Sequence, residues 1–518
     1  MLDILQFFQI LYFPVLLIHF MAVVLLLLYF RKDIIKPFIK IDRKVLIFLL
    51  LIFLLGLYLR LTMSGRYGLD DLLWEHVRNA ESFYSELRFS SFAHPGGHSL
   101  LTTLSFLFGQ NIENVSMLTI LLDSLSIIVL FFIAFVLFKK TEIAIFTSLI
   151  FAVLPWQIFI SGMGLDVTSS IFFTLSAFAV LLISKELRSA NLFMLSIIMF
   201  LWSAEIRLDN LIFLLLLFFV YFRAGYKIKN QKWFFPLIVT FLLPIIAWVT
   251  CSPVLFGPGS SIEGQGKEGF FSIGNLLINY STYIIPHFFV NSYGNYYPLF
   301  IFPFLFVLGS LLFLDYKGSF YLLIIWFLGW SLVYGSFWYG SQIYRYSVFI
   351  HPVLAIVSAC GAYAILNYVP LITKNKKIIT ALTVSMSLLI ILTTFPFQSL
   401  VNPSPITFWP SVSEFKEIDK VVESDSCVVL QKLKYGRFEN AKHLIGVQRT
   451  FIEWPTNYSI FGYNCTNVYY FDLRGYIHPM PEDLEEYDNN HNSLFSEYEL
   501  VNVFEKQPLR VYRVIRRI

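Results

Sequence analysis

The chain has 518 residues, of which 57% are hydrophobic and only 14% are charged, and its mean hydropathy is +0.68. This composition excludes a soluble globular protein of this length, because apolar runs long enough to span a bilayer recur through about the first 400 residues. The formal net charge of +4 says little by itself, and the sequence has neither a Walker motif nor a dinucleotide-binding glycine motif. It predicts a polytopic α-helical membrane protein in a lipid bilayer, with no nucleic acid among its partners.

The first apolar run, about residues 5–30, is predicted to be a retained membrane helix. It is longer than the apolar core of a signal peptide, and no small-residue cleavage site follows it. With about 20 apolar residues for each crossing, the sequence predicts about twelve spanning segments. They lie near residues 5–30, 45–62, 115–138, 142–160, 166–184, 191–206, 209–222, 233–250, 295–314, 319–336, 346–367 and 378–396.

Basic residues in alternate loops give the predicted orientation, because cytoplasmic loops carry an excess of Lys and Arg. The loop after the first segment, RKDIIKPFIKIDRK, is rich in both. The other basic positions on this side are Lys139 and Lys140, Lys185 with Arg188, the RAGYKIKNQK loop, Lys317, and Lys374 with Lys376 and Lys377. Residues 63–114, residues 251–294 and everything after about 397 are then extracytoplasmic.

Two domains are predicted: a transmembrane domain over residues 1–400, with outer loops 63–114 and 251–294, and a small extracytoplasmic α+β domain over residues 401–518. In the second domain, SVSEFKEIDKVV predicts a helix that begins at a capping box, and SCVVLQKL, NVYYFDL and LRVYRVIRRI predict strands. Its two cysteines, Cys427 and Cys465, could pair in an oxidising compartment.

The loop 251–294 joins a glycine-rich half to an aromatic half. This combination suits a lid over a membrane site. An aromatic belt at the bilayer interface explains most of its tyrosines equally well.

The first outer loop begins with an acidic pair, Asp70 and Asp71, in GRYGLDDLLWEHVR. One carboxylate of such a pair could act as a general base while the other orients it, or the pair could cap a helix. The following residues place Leu72, Val77 and Ala80 on one apolar face, which predicts a helix lying in the interface. The next apolar run, HSLLTTLSFLFG, is too short to span and predicts a juxtamembrane or re-entrant helix packed against protein.

Other polar residues stand at the predicted outer ends of the helices. His94 and Pro95 open the re-entrant helix, which is a plain helix entry if spacing alone is considered. Asp166 begins one spanning segment, and Arg207 with Asp209 begins another. Arg207 and Asp209 could simply pair with each other, although charged groups at membrane helix ends are often functional.

The segment YRYSVFIHP begins a late spanning helix and contains Arg345, Tyr346, His351 and Pro352. Its arginine could bind a phosphate bidentately. A snorkelling arginine at the interface is the alternative reading.

Taken in order, these motifs resemble the GT-C superfamily of integral-membrane glycosyltransferases over about residues 45–370. Protein O-mannosyltransferases and lipid A aminoarabinose transferases resemble the chain most. The matching positions are the acidic pair Asp70–Asp71, His94–Pro95–Gly96 in place of His-Pro-Pro, Asp166, Arg207 with Asp209, and Arg345–Tyr346 followed by Pro352. The chain departs from the family pattern in having Asp rather than the commoner Glu at the second acidic position. The Trp-Trp-Asp-Tyr-Gly signature of oligosaccharyltransferases is absent.

The resemblance implies an inverting transfer of one sugar from a polyprenyl (dolichyl) phosphate donor to a hydroxyl-bearing acceptor on the extracytoplasmic face. The acceptor is a protein, a lipid or a glycan. Asp70 would be the base. Asp71, Asp166 and His94 would bind the acceptor or the donor sugar, and Arg207, Arg345 and Tyr346 would bind the lipid phosphate.

Two other functions remain open at this stage. A lipid-linked sugar transporter or flippase also needs many helices and intramembrane charges. A polymerase or ligase would differ in using a diphosphate-linked donor. No cofactor is assigned and no metal ligands are predicted, although the carboxylates could hold a divalent ion.

Overall fold

The computed structural model describes most of the membrane-embedded part of the chain and several segments of the C-terminal part. These are residues 2–39, 41–63, 71–86, 95–109, 112–224, 226, 232–251, 305, 309, 316–337, 347–372, 384–385, 387–388, 418, 420–423, 426–431, 450–454, 465–472, 481–506 and 509–516. The chain divides into two compact units. One comprises Met1–Met63 with Glu75–Asn402, and the other comprises Ser64–Trp74 with Pro403–Ile518.

The chain before residue 400 is helical wherever the structure describes regular elements. Short 3₁₀ turns at Lys36–Phe38, Phe106–Phe108, Leu208–Phe213 and Ser347–Phe349 accompany the α-helices. The α-helices are α1 (Leu2–Tyr29), α2 (Arg31–Ile35), α3 (Arg43–Met63), α4 (Asp71–Glu86), α5 (Gly97–Ser105), α6 (Ile112–Phe138), α7 (Thr141–Val153), α8 (Pro155–Ser161), α9 (Asp166–Leu187), α10 (Ala190–Ile206), α11 (Leu214–Ala224), α12 (Phe234–Cys251), α13 (Lys317–Phe337) and α14 (His351–Ile372).

Several of these helices are long and apolar enough to cross a membrane. Within the described residues they are the stretches Ile10–Tyr29, Arg43–Thr62, Asn114–Phe138 and Asp166–Leu187. A mostly helical chain with several apolar helices is therefore confirmed. The number of about twelve spans stays a prediction, because the segments 295–314 and 378–396 lie almost wholly outside the described residues, as does the lid candidate 251–294 apart from Cys251.

The segment predicted as one helix over 142–160 is broken in two. α7 ends at Val153, Leu154 is extended, and α8 begins at Pro155. Proline has no N–H to continue the helical ladder, and it disfavours the helical conformation of the residue before it. The break sends the chain through α8 to the turn that precedes Asp166.

The segment predicted as a helix over 209–222 also differs from expectation, because it starts as a 3₁₀ turn and becomes α-helical only at Leu214. Arg207 is extended and ends α10. The side chain of Asn210 donates to the carbonyl of Ser203 at 2.8 Å, which reinforces the end of that helix.

α9 is the most enclosed of the long apolar helices. Within the unit, 83% of its span is buried, against 28% for the spans of α1 and α3. It packs on α6 and α10, while α3 packs on α6 and α7. The exposed apolar side chains of α1 and α3 suit contact with lipid. Because other helices enclose α9, its first residue, Asp166, lies within the bundle.

The two helices predicted in the first outer loop are present as α4 and α5. Val77 and Ala80 of α4 are buried, as the predicted apolar face requires. α5 is buried along almost its whole length, which agrees with a short helix packed against protein. The 3₁₀ turn at Phe106–Phe108 ends it.

The second unit contains a five-stranded sheet in the order β2-β1-β3-β5-β4. Its strands are β1 (Cys427–Gln431), β2 (Thr450–Trp454), β3 (Val468–Asp472), β4 (Tyr498–Lys506) and β5 (Leu509–Arg516), and α15 (Pro481–Glu497) precedes β4. β1 is parallel to β2 and β3, while β5 is antiparallel to β3 and β4. Strands therefore occur in all three predicted segments, and the capping box at Ser411 and Glu414 lies outside the described residues.

A disulfide joins Cys427 at the start of β1 to Cys465 just before β3, with their Cα atoms 5.6 Å apart. It lies against the buried side chains of Val429, Val468 and Tyr470. The pairing suits an oxidising compartment. Placement of this unit outside the cell stays a prediction.

Replacing both cysteines by serine should lower the free energy of unfolding of the sheet unit by about 2–4 kcal/mol, because the unfolded chain regains the freedom that the cross-link removes. Amide hydrogen exchange of β1 and β3 in the full chain measures this loss. Thiol titration of the denatured wild-type protein should find two fewer thiols before reduction than after it. Equal thiol counts would show that the disulfide does not form.

Candidate active site

The site is built around Asp166, the first residue of α9. Leu165 before it is extended, so the carboxylate stands at the positive end of the helix dipole. Asp166 is only 2% exposed. Nη1 of Arg207 donates to both of its carboxylate oxygens, at 2.9 and 2.8 Å. A buried carboxylate is costly without such a partner.

Arg207, at the end of α10, is shared between two carboxylates. Its Nε lies 3.3 and 3.2 Å from the two carboxylate oxygens of Asp209, and its Nη2 donates to one of them at 3.0 Å. Arg207 and Asp209 therefore do pair, as one reading of the sequence allowed, but the same guanidinium also joins them to Asp166. The side chains of Arg207 and Asp209 keep 11% and 16% of their surface exposed, so this side of the cluster remains accessible.

Two histidines lie beside Asp166. Nε2 of His76, on α4, is 3.9 Å from Oδ2 of Asp166, and its ring meets the ring of His98 edge-on with centroids 4.7 Å apart. The other ring nitrogen of His76 is 3.0 Å from the hydroxyl of Ser99. These contacts tie α4 and α5 to the start of α9.

His98 is held in one tautomer by its neighbours. Its Nε2 is 3.0 Å from the carbonyl oxygen of Gly164, which can only accept, so the proton is on Nε2. The hydroxyl of Ser169 then donates to Nδ1 at 3.1 Å. Burial lowers the pKa of His98, and Arg207 lowers it further. Asp166 raises the pKa, but the net shift is downward. The ring is therefore neutral near pH 7.

Gly97 lets α5 approach the end of α10. A Cβ atom at this position would stand 2.7 Å from the carbonyl oxygen of Glu205, a backbone atom that cannot move away easily. The side chain of Glu205 in turn bonds Nδ1 of His19, on α1, at 2.7 Å. Gly97 is thus required by a close approach of two helices.

The structure brings together some of the residues that the sequence singled out. Asp166 and Arg207 are in contact, and Asp71 begins α4. Asp70, His94, Arg345 and Tyr346 lie outside the described residues. Sequence reasoning missed His76 and His98, although His76 adjoins the apolar face of α4 and His98 is the first residue of the quoted HSLLTTLSFLFG. Among the described residues, no three His, Cys, Asp or Glu side chains are grouped as metal ligands.

Solved structures with the same fold exist. ArnT from Cupriavidus metallidurans bound to undecaprenyl phosphate superposes with a TM-score of 0.55 at 12% identity, covering 90% of this chain and 97% of the other. The apo state of the same protein gives a TM-score of 0.53, also at 12% identity and with the same coverage. No family model matches the sequence, and no curated protein matches it. At this identity, the likeness concerns the fold.

Replacing Arg207 by methionine should lower the free energy of unfolding by about 3–5 kcal/mol, because two largely buried carboxylates lose their counter-charge. Arg43→Met, at an exposed position, is the matched control and should change stability little. Thermal unfolding of the purified protein in detergent compares them. Adding Asp166→Asn to Arg207→Met should recover part of the loss. Equal stability of Arg207→Met and Arg43→Met would contradict the assignment.

Stability should fall as the pH drops below about 6.5, in part because of His98. Its pKa is lowered in the folded protein, so the unfolded chain takes up a proton that the folded chain refuses. Glutamine at position 98 keeps a donor and an acceptor but does not titrate. Unfolding measured at pH 7.5 and pH 5.5 should therefore show a weaker pH dependence for His98→Gln, by at most about 1.4 kcal/mol per pH unit. An unchanged dependence would contradict the neutral assignment.

Proposed function

We propose that the chain is a GT-C-type membrane glycosyltransferase that moves a single sugar from a polyprenyl-phosphate donor to a hydroxyl acceptor. One observation carries the proposal: a guanidinium joins two carboxylates at the adjoining ends of α9 and α10, on a fold that covers 97% of ArnT. Charged groups are expensive in a membrane protein and mark functional sites by default. The side chains of Arg207 and Asp209 are partly exposed, which suits contact with a polar substrate.

The donor is proposed from the neighbour with the same fold. ArnT is a lipid A aminoarabinose transferase, and its crystal structure holds undecaprenyl phosphate. We propose a donor of the same chemical class for this chain, with an undecaprenyl or a dolichyl tail according to the host. The tail would lie among apolar helix surfaces of the kind that α1 and α3 expose.

The lipid phosphate is assigned to Arg345, Tyr346 and Arg207. A guanidinium has five N–H donors, and in Arg207 the Nε, Nη1 and Nη2 groups all already donate to carboxylates. Two anionic partners also offset its charge. We therefore give Arg345 the larger share of phosphate binding, with Arg207 adding charge at the edge of the cluster.

The proposed chemistry is a single displacement. The acceptor oxygen attacks the anomeric carbon, the bond from that carbon to the phosphate oxygen breaks, and polyprenyl phosphate leaves with the bonding electrons. Asp70 accepts the proton of the acceptor hydroxyl. Asp71, Asp166 and His94 bind the acceptor or the donor sugar. A single displacement inverts the configuration at the anomeric carbon.

Asp70→Asn should lower sugar transfer by roughly 10²–10⁴-fold, because the amide cannot take the proton. Membranes containing the variant are supplied with labelled undecaprenyl-phosphate hexose, pentose and aminopentose, and release of the label from the lipid is measured. Asp33→Asn, an exposed acid on the predicted cytoplasmic side, is the control and should transfer at the wild-type rate.

Two results would overturn the proposal. Transfer by Asp70→Asn near the wild-type rate would remove the assigned base. If the wild-type protein moved intact lipid-linked sugar across the membrane of vesicles without any release of label, the chain would be assigned to transport instead.

A further inference from the structure

A second polar network lies inside the helical unit, apart from the Asp166 cluster. It links Arg60 of α3, Asp123 of α6, Gln157 of α8 and His351 of α14, and all four are at most 2% exposed. Nε of Arg60 donates to Asp123 at 2.6 Å, Nε2 of Gln157 donates to the other oxygen of Asp123, and Nδ1 of His351 lies 2.7 Å from Oε1 of Gln157. Four helices are thus joined by one chain of hydrogen bonds.

Arg60 fills the break between α7 and α8. The carbonyl of Phe151 would normally bond the N–H four residues later, but that residue is Pro155, which has none. The guanidinium lies 3.4 Å from this carbonyl oxygen and 2.9 Å from that of Ala152. It also donates to the carbonyl of Gly56 on its own helix at 3.1 Å. The break is therefore stabilised from α3.

The donors and acceptors of the network allow one arrangement. Arginine only donates and a carboxylate only accepts, so the amide nitrogen of Gln157 faces Asp123 and its oxygen faces His351. An amide oxygen only accepts, which places a proton on Nδ1 of His351. Every bond of the chain is then directional and satisfied, and such networks specify geometry better than apolar contacts do.

The helices that the network joins lead to the residues of the proposed site. Asp70 follows Arg60 by ten residues along the chain. α8 leads through residues 162–165 to Asp166, the start of α9. Arg345 and Tyr346 precede His351, the first residue of α14, by six and five residues. One polar chain therefore joins α3, α8 and α14, the helices that adjoin these three positions in the sequence.

We propose that Arg60, Asp123, Gln157 and His351 are positioning residues that hold α3, α6, α8 and α14 in register, and that donor binding depends on this register. The inference rests on the proposed function, and none of the four touches substrate in it. An apolar cluster of the same volume would serve stability about as well as a buried ion pair. Directed bonds between four helices instead serve placement, where an error of about 1 Å can cost about 10²-fold in rate.

The test compares two replacements of His351 with undecaprenyl phosphate as the probe. Asparagine can donate from near the position of Nδ1, whereas leucine fills the space without a donor. Binding of undecaprenyl phosphate to the purified full chain is measured by native mass spectrometry, and thermal unfolding is recorded alongside. We expect His351→Leu to weaken binding about 10-fold and His351→Asn to stay within about threefold of the wild type.

Reference variants separate the possible outcomes. Arg345→Gln, in the proposed phosphate site, should lose binding, while Ser358→Ala, buried further along α14, should keep it. No binding by the wild type would overturn the proposed function itself. Binding by the wild type, with loss in Arg345→Gln but none in His351→Leu, would overturn only the positioning role.

Equal losses in His351→Asn and His351→Leu would also overturn that role, because shape rather than the hydrogen bond would then matter. If His351→Leu does not fold, Gln157→Met replaces it. Methionine has a similar volume to glutamine but cannot donate or accept. Gln157→Asn, which keeps an amide donor and an amide acceptor, is then the conservative partner, and wild-type binding by Gln157→Met would overturn the inference.

Discussion

A backbone carbonyl without a partner is costly inside a bilayer, where no water can replace the missing N–H. Pro155 creates such a carbonyl at the end of α7, and the guanidinium of Arg60 satisfies it together with its neighbour. The break that Arg60 stabilises determines where the candidate site lies. Because the chain breaks at Leu154, α8 diverges from α7, the turn over residues 162–164 is placed beside His98, and α9 begins at Asp166. A straight helix over the same residues would have carried that carboxylate elsewhere.

In the described part of the helical unit, Arg60 and Arg207 both bind carboxylates, yet their surroundings give them different roles. Arg60 is fully buried, and carbonyl oxygens and one aspartate surround it, so its contacts hold helices together. Arg207 lies between two aspartates and keeps part of its surface exposed. A charge that is stabilised by the protein and still partly exposed suits recognition of an anion or a hydroxyl. Exposure, rather than residue type, separates the structural arginine from the candidate functional one.

The sequence predicts well which face of a helix is buried and which helix ends lie on the same side of the bundle. Apolar periodicity predicts the buried face of α4 that holds Val77 and Ala80, and charge counting predicts that Asp166 and Arg207, which are in contact, share one side. Pairings between distant apolar runs were beyond such reasoning: Arg60 and Asp123 are 63 residues apart, and each looks like an isolated charge in a membrane helix. Proline chemistry predicts a break at Pro155. The count of apolar residues does not detect it, because residues 142–160 are apolar enough to form one span.

The histidines make the site a single unit rather than a set of ion pairs. Both ring nitrogens of His98 are engaged, by Gly164 and Ser169, so this residue holds the start of α9 in place. His76 has a different position: one nitrogen contacts Ser99, while the other lies 3.9 Å from Asp166. Since His76 is carried by α4, which begins at Asp71, any displacement of that helix changes the electrostatic field at Asp166.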